Sequence, residues 1–255
     1  MTRITPQDGV AVVTGAGSGL GRALSLALTR HGLTVIDTGR RAGPLAETQA
    51  LAPDRFHALP LDVGDWAAVQ HGFARIRAEH GRIALLVNNA AVYPRRDILD
   101  ESGESVMDTV ATNLGGTVNC ARAALEDMCE TGRGRILNVA TFADLNPLPA
   151  SAAYSISKGA ARIFTRALIA DLADRFPGIV IGDWMPGMLK TTMGIPDGLA
   201  PEAAAEWGAE LALRADPELT GAVFEMDTEV LPPRGVKGKL KDALLMRRRR
   251  PRRLG

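Results

Sequence analysis

Cysteine is scarce in this chain of 255 residues: Cys120 and Cys129 are the only two. They fall in one helix-patterned segment. A rotation of about 100° per residue sets them on roughly opposite faces, so they cannot bridge each other within that helix. Free thiols suit a reducing cytoplasm, which is the expected location. Long apolar runs are also missing. No stretch of eighteen or more apolar residues occurs, so no membrane span is expected. The opening MTRITPQDGVAVVTGAG lacks the charged-then-apolar layout of a secretory signal. Net charge is close to zero, at +1, but six arginines lie between Arg247 and Arg253, and without them the body carries about −5. That body does not have the basic surface of a nucleic-acid binder.

What is present is ordinary globular composition, 46% hydrophobic and 23% charged, in a length that suits one α/β domain. Short β-branched runs alternate with Ala/Leu-rich segments of helical spacing. Strands are expected at Val10–Thr14, Leu33–Thr38, Phe56–Leu61, Ile83–Asn88, Arg135–Ala140 and Ile179–Asp183, with a last one at Ala222–Met226. Helices are expected at Gly19–His31, Asp65–His80, Ser105–Glu130 and Ala152–Phe176. Regular strand–helix alternation implies right-handed crossovers and a parallel sheet covered on both faces, a three-layer doubly wound Rossmann fold of about seven strands. One domain over residues 1–231 is expected. Residues 232–255 form a basic extension with a possible short helix at Val236–Met246 and a mobile end.

The first strand runs into Thr14-Gly15-Ala16-Gly17-Ser18-Gly19-Leu20-Gly21 and then a helical segment. Glycines there let the backbone turn tightly and approach a pyrophosphate, while the helix offers free N–H groups and its positive dipole end. A glycine turn in that place is read as a dinucleotide site, with a turn that holds no ligand as the alternative.

The spacing TGxxxGxG resembles that of the short-chain dehydrogenase/reductase family, and further motifs follow in the family's order. They are Asp62-Val63, Asn88-Asn89-Ala90, Asn113, Thr141, Tyr154-Ser155-Ile156-Ser157-Lys158, and Pro186-Gly187 with Thr191, so the resemblance covers residues 10–193. It implies that Asp62 and Val63 hold the adenine and that Asn89 and Ala90 border the cofactor, Asn89 chiefly as a support. Ala91 stands where the family usually has glycine, and the added methyl group narrows the nicotinamide side. Leu189 and Thr191 would contact the carboxamide or a phosphate beside Pro186 and Gly187.

The family's NAD enzymes usually carry an acidic residue at the end of the second strand. That position is Gly39 here, followed by Arg40 and Arg41. A guanidinium without a carboxylate suits a 2′-phosphate, so NADP is preferred. Asp37, two residues earlier, is the competing signal for NAD.

Tyr154 and Lys158 are four apart on one helix face. Alone, the pair reads better as an aromatic residue and a solvated cation on a helix. Within the ordered set it implies catalysis: Tyr154 as acid/base to a carbonyl, and Lys158 lowering its pKa and donating to the nicotinamide ribose. Thr141 occupies the place of the family's serine and keeps a hydroxyl to orient the substrate oxygen, although β-branching restricts it. Asn113 would support a water that relays protons to Lys158.

Candidate substrate-wall residues are Tyr93, Arg95, Arg96, Ala143–Asn146, Trp184, Met188 and Met193. Arg95 and Arg96 are either anion receptors or a solvated loop. No metal is expected. The resulting expectation is an NADP(H)-dependent carbonyl reductase or alcohol dehydrogenase acting on a small ketone or secondary alcohol. The alternatives are a dinucleotide-binding regulatory protein without turnover, or an epimerase or dehydratase of the same fold. The resemblance implies a homodimer or homotetramer formed through the helices holding Asn113 and Tyr154. The arginine tail is read as solvated, with contact to an acidic partner as the alternative.

Overall fold

The computed structural model describes residues 2–233 and 250–254. Eight strands form one sheet: β1 (Val10–Thr14), β2 (Val35–Gly39), β3 (Phe56–Pro60), β4 (Ile83–Asn88), β5 (Gly134–Val139), β6 (Ile179–Met185), β7 (Val223–Glu225) and β8 (Thr228–Glu229). Their spatial order is β3-β2-β1-β4-β5-β6-β7-β8. Every neighbouring pair is parallel except β7–β8, which is an antiparallel hairpin. The Rossmann arrangement is therefore present, with one short strand more than the sequence pattern suggested.

The β-branched runs form strands because both of their faces are covered. Every residue of β1, β4 and β6 is buried. Alternate residues feed two cores. Ala11, Val13, Leu85, Val87 and Leu137 pack with Leu24 and Leu28 of α1 (Gly19–Arg30) and Ala204, Ala205 and Ala209 of α7 (Pro201–Leu213). Val10, Val12, Leu86, Ile136 and Ile181 pack on the other side. They meet Val69, Phe73 and Ile76 of α3 (Trp66–His80) and Cys120, Ala124 and Met128 of α5 (Gly116–Thr131). Each fully buried leucine contributes about 1.5–3 kcal/mol of transfer free energy. The other helices are α2 (Ala42–Leu51), α4 (Gly103–Val110) and α6 (Ala152–Leu172).

The long helix expected at Ser105–Glu130 is interrupted around Asn113. Between α4 and α5, Ala111–Gly115 forms a π turn centred on Asn113. Such turns widen the helix and redirect side chains. Thr117 Oγ1 donates to the Asn113 carbonyl at 2.8 Å, satisfying a group that the turn displaces.

The expected mobile end needs correction for residues 250–254. Arg252 Nε and its terminal amino group donate to the two Glu229 carboxylate oxygens at 2.9 and 2.7 Å. Thr228 bridges Arg253 in antiparallel fashion, and Leu254 is buried in the α1/α7 core. A bidentate ion pair and a buried leucine give this stretch a fixed place. The possible helix at Val236–Met246, and Arg247–Arg249 of the tail, lie outside the described residues.

Candidate active site

Strand order reverses between β1 and β4, and a cavity of about 630 Å³ opens there beyond the strands' carboxyl ends. Its wall begins with Gly15, Gly17, Ser18, Gly19, Leu20 and Gly21. Gly15 has φ +73°, and a Cβ there would lie 2.8 Å from the Ala90 Cα. At Gly21 a Cβ would meet the Gly15 carbonyl oxygen at 2.4 Å, so only glycine permits the turn to fold onto α1. Asn89 Nδ2 donates to the Thr14 and Gly15 carbonyls at 2.8 and 3.2 Å, tying the turn to the end of β4. These residues leave a backbone-lined cradle at a helix N-terminus, which fits a dinucleotide pyrophosphate.

Sequence reasoning missed two supports of this cradle. Thr14 Oγ1 accepts from the Asn89 and Ala90 N–H groups at 3.0 and 2.9 Å. Arg22 donates to the Gly17 carbonyl at 2.8 Å and to Thr48 Oγ1 at 2.9 Å. Thr14 stands in the glycine motif itself, so its position was a usable signal. The Thr48 partner of Arg22 comes from α2, a helix that the sequence pattern did not reveal.

Gly39, Arg40, Arg41, Asp62, Val63, Asn89, Ala90 and Ala91 line the same cavity. Arg40 and Arg41 are exposed, and no hydrogen bond or ion pair to either occurs among the described residues. Asp37, by contrast, is fully buried and absent from the cavity wall. Its Oδ1 accepts from the Ala16 N–H at 2.9 Å, whereas Oδ2 has no partner. Burial pushes its carboxyl up to about 8. Asp37 is thus committed to the glycine turn and does not face the cavity.

Thr141, Tyr154 and Lys158 also line the cavity, together with Ala143, Pro186, Gly187, Leu189 and Thr191. Tyr154 sits in the first turn of α6, and burial raises its phenol pKa above the ordinary value near 10. A hydrogen bond with the Thr141 side chain pulls the other way. Desolvation is the largest influence on the phenol, and Tyr93 and Asp144 add to the upward shift. Lys158 is itself buried. Its Nζ donates to the Val139 carbonyl at 2.8 Å, and burial brings its pKa down to about 8 while the Asp183 carboxylate opposes that shift.

Asn113 has no exposed surface. Its amide contacts the Val92 backbone and Ser157 Oγ and does not line the cavity. Arg162 donates to Asp144 at 3.1 Å and to the Thr141 carbonyl at 3.4 Å, bracing the Thr141 loop from α6.

Tyr93, Arg95, Met188 and Met193 reach the substrate side of the cavity. Arg96 does not; it donates to Ser105 Oγ at 2.9 Å. Asp144, Leu145 and Asn146 also fall outside the wall. Trp184 must be withdrawn from the substrate residues. It lies in the middle of the sheet, fully buried against the α1/α7 core, and its Nε1 donates to the Met226 carbonyl at 2.9 Å. Its neighbour Met185 lines the cavity instead. Three non-glycine residues have left-handed backbone among those described: Arg95, Ala150 and Met226. Arg95 and Ala150 line the cavity, and Met226 follows the lining residue Glu225, so local strain concentrates around this site.

A family model for short chain dehydrogenases matches residues 9–199. The chain belongs to the short chain dehydrogenase family. It is 36% identical over 190 residues to the probable oxidoreductase EphD of Mycobacterium tuberculosis, covering 73% of this chain and 32% of that one. The chain therefore spans about a third of the length of this mycobacterial relative. It is 33% identical over 186 residues to the oxidoreductase UcpA of Salmonella typhimurium, covering 72% of this chain and 70% of the relative. A crystal structure from Agrobacterium tumefaciens, described as a candidate gluconate dehydrogenase, superposes with TM-score 0.80. It covers 87% of this chain and 96% of that chain at 23% identity, which is a likeness of fold.

Proposed function

We propose that this chain is an NADP(H)-dependent oxidoreductase that interconverts a ketone and a secondary alcohol. The observation carrying this reading is the convergence of Tyr154, Thr141 and Lys158 in the one cavity that the glycine turn also lines. A bound nicotinamide dinucleotide would supply or accept the hydride. Gly15–Gly21 would hold its pyrophosphate, Asp62 and Val63 its adenine, and Pro186, Gly187, Leu189 and Thr191 its nicotinamide end. The unpaired guanidinium groups of Arg40 and Arg41 support a 2′-phosphate, and the burial of Asp37 removes a competing carboxylate.

Tyr154 holds the proton that the substrate oxygen receives in reduction. Its raised pKa keeps the phenol neutral and ready to donate. The Thr141 hydroxyl, on the same cavity wall as that phenol, would orient the same oxygen. Lys158 would donate to the ribose hydroxyls of a bound nicotinamide dinucleotide and would supply positive charge beside the phenol in the oxidative direction.

Consumption of NADPH with a panel of uncharged and charged ketones tests this reading, with NADH measured in parallel. Ketone-dependent oxidation of NADPH is the expected result. Tight NADPH binding without oxidation would favour a dinucleotide-binding regulatory role, and product formation without net cofactor consumption an epimerase or dehydratase.

A homo-oligomer is part of the same proposal. Ile156 and Ile163 on α6 and Met107 on α4 are exposed, and light scattering on the purified chain reads the state directly. No helix among the described residues is long and apolar enough to cross a membrane. The free thiols of Cys120 and Cys129 support a reducing, cytoplasmic location.

A further inference from the structure

We propose that the site takes an uncharged carbonyl compound with an apolar body, and that Arg95 clasps the site wall and does not receive an anionic substrate group. This rests on reading Tyr154 as the acid/base of a carbonyl site. Beyond Tyr154 and Thr141 the wall is built by Phe142, Leu148, Pro149, Met188, Met193 and Ile195. Leu148, Met188, Met193 and Ile195 stay exposed at the mouth, where an apolar ligand would remove them from water. The charged groups elsewhere on the wall are Arg40, Arg41 and Asp62 at the dinucleotide end and the buried Lys158. That leaves Arg95 and Glu225 as the charges able to meet a substrate.

Arg95 is already engaged. Its terminal amino group donates to the Met193 and Gly194 carbonyls at 2.7 and 2.6 Å, bridging the loops after β4 and β6. Its guanidinium carbon lies 5.2 Å from the centre of the Tyr93 ring, within reach of a cation–π contact. Tyr93 in turn stacks on Tyr154, with centroids 4.4 Å apart and planes inclined by 17°. Both bonds come from Nη2, and swinging the guanidinium away from them toward a substrate carboxylate would break the two and unload this stack. The left-handed backbone of Arg95, at φ +53°, is one more feature fixed by that arrangement. Glu225 adds a negative charge to the wall, which opposes an anionic substrate.

A matched pair of substrates tests the assignment: 1-phenylpropan-2-one and its para-carboxylate, each with NADPH. The expected kcat/KM is at least about tenfold higher for the uncharged ketone. In Arg95→Asn, chosen because asparagine tolerates left-handed backbone, the ratio should still favour the uncharged ketone. A parent ratio near one, or one favouring the carboxylate, overturns the proposal. So does a preference that inverts in Arg95→Asn. Calorimetric binding of the same two compounds to Tyr154→Phe loaded with NADPH reads the wall without turnover. If the uncharged ketone binds more tightly there but the parent turns over neither compound, the oxidoreductase reading fails and the wall assignment stands. Tighter binding of the carboxylate, or binding of neither, overturns the wall assignment whatever the turnover.

Discussion

Asn113 grips the backbone of Val92 with both ends of its amide: Oδ1 accepts from the Val92 N–H at 2.7 Å, and Nδ2 donates to the Val92 carbonyl at 3.0 Å. The same Nδ2 donates to Ser157 Oγ at 2.9 Å, and that hydroxyl donates to the Tyr154 carbonyl at 2.8 Å. A side chain in the π turn thus joins the loop carrying Tyr93 to the helix turn carrying Tyr154. Removing it would strand the half-buried Val92 N–H and carbonyl, at about 1–3 kcal/mol for each group left without a partner. Asn113→Ala should therefore lose about 2–4 kcal/mol in urea unfolding and also lower kcat. Unchanged stability would show that these contacts are dispensable.

Asp37 sets a pH dependence of the fold. The unfolded chain releases this proton near pH 4, whereas the folded chain holds it to about 8. Between those values the folded state binds more protons, so this contribution to stability is complete below about pH 4 and declines as pH rises toward 8. Asp183, pushed up to about 6, acts in the same direction over a narrower window. Asp37→Asn keeps an acceptor for Ala16 and removes the titration. Its urea midpoint should gain on that of the parent as pH increases from 5 to 8.

In the proposed function, Arg40 and Arg41 carry the cofactor preference. Arg40→Ala should weaken NADPH binding by about ten- to hundredfold, the worth of a hydrogen bond to a charged group, while NADH affinity changes by less than about twofold. Calorimetric titration of both cofactors provides the comparison. An equal loss for the two would place Arg40 outside the 2′-phosphate site.

In the proposed function, Thr141 contributes through its hydroxyl. Thr141→Val preserves the branched shape and removes that group, and kcat/KM should fall by about a hundredfold. Thr141→Ser should stay within about tenfold of the parent, because it retains the donor and relaxes the side-chain rotamer. Similar losses in the two variants would argue that packing of the γ-methyl matters more than the hydroxyl.

Much of this site was legible in the sequence because its constraints are local. The glycine turn is bounded by β1 and α1, and Tyr154 and Lys158 share one face of one helix, so spacing sets them side by side while the family's motif order suggested their role. Trp184 was misread because alternation along β6 sets which way its side chain points, and the residues covering it come from distant helices. The role of Asn113 depends on Val92 and Ser157, 21 and 44 residues away. The place of Arg252 depends on Glu229, and that of Leu254 on a core assembled from the whole chain. The α7 helix escaped notice because its alanine-rich segment has weak apolar periodicity, although Pro201 at its first turn was an available start signal.

The acid/base role of Tyr154 is tested most directly by comparing kcat and NADPH affinity in Tyr154→Phe. The phenyl ring preserves the stacking area against Tyr93 and removes the one proton at issue. The account predicts that ketone-dependent turnover falls by at least about a thousandfold while the NADPH dissociation constant stays within about threefold. Turnover retained above about a tenth of the parent value would contradict the assignment of Tyr154 as the proton donor.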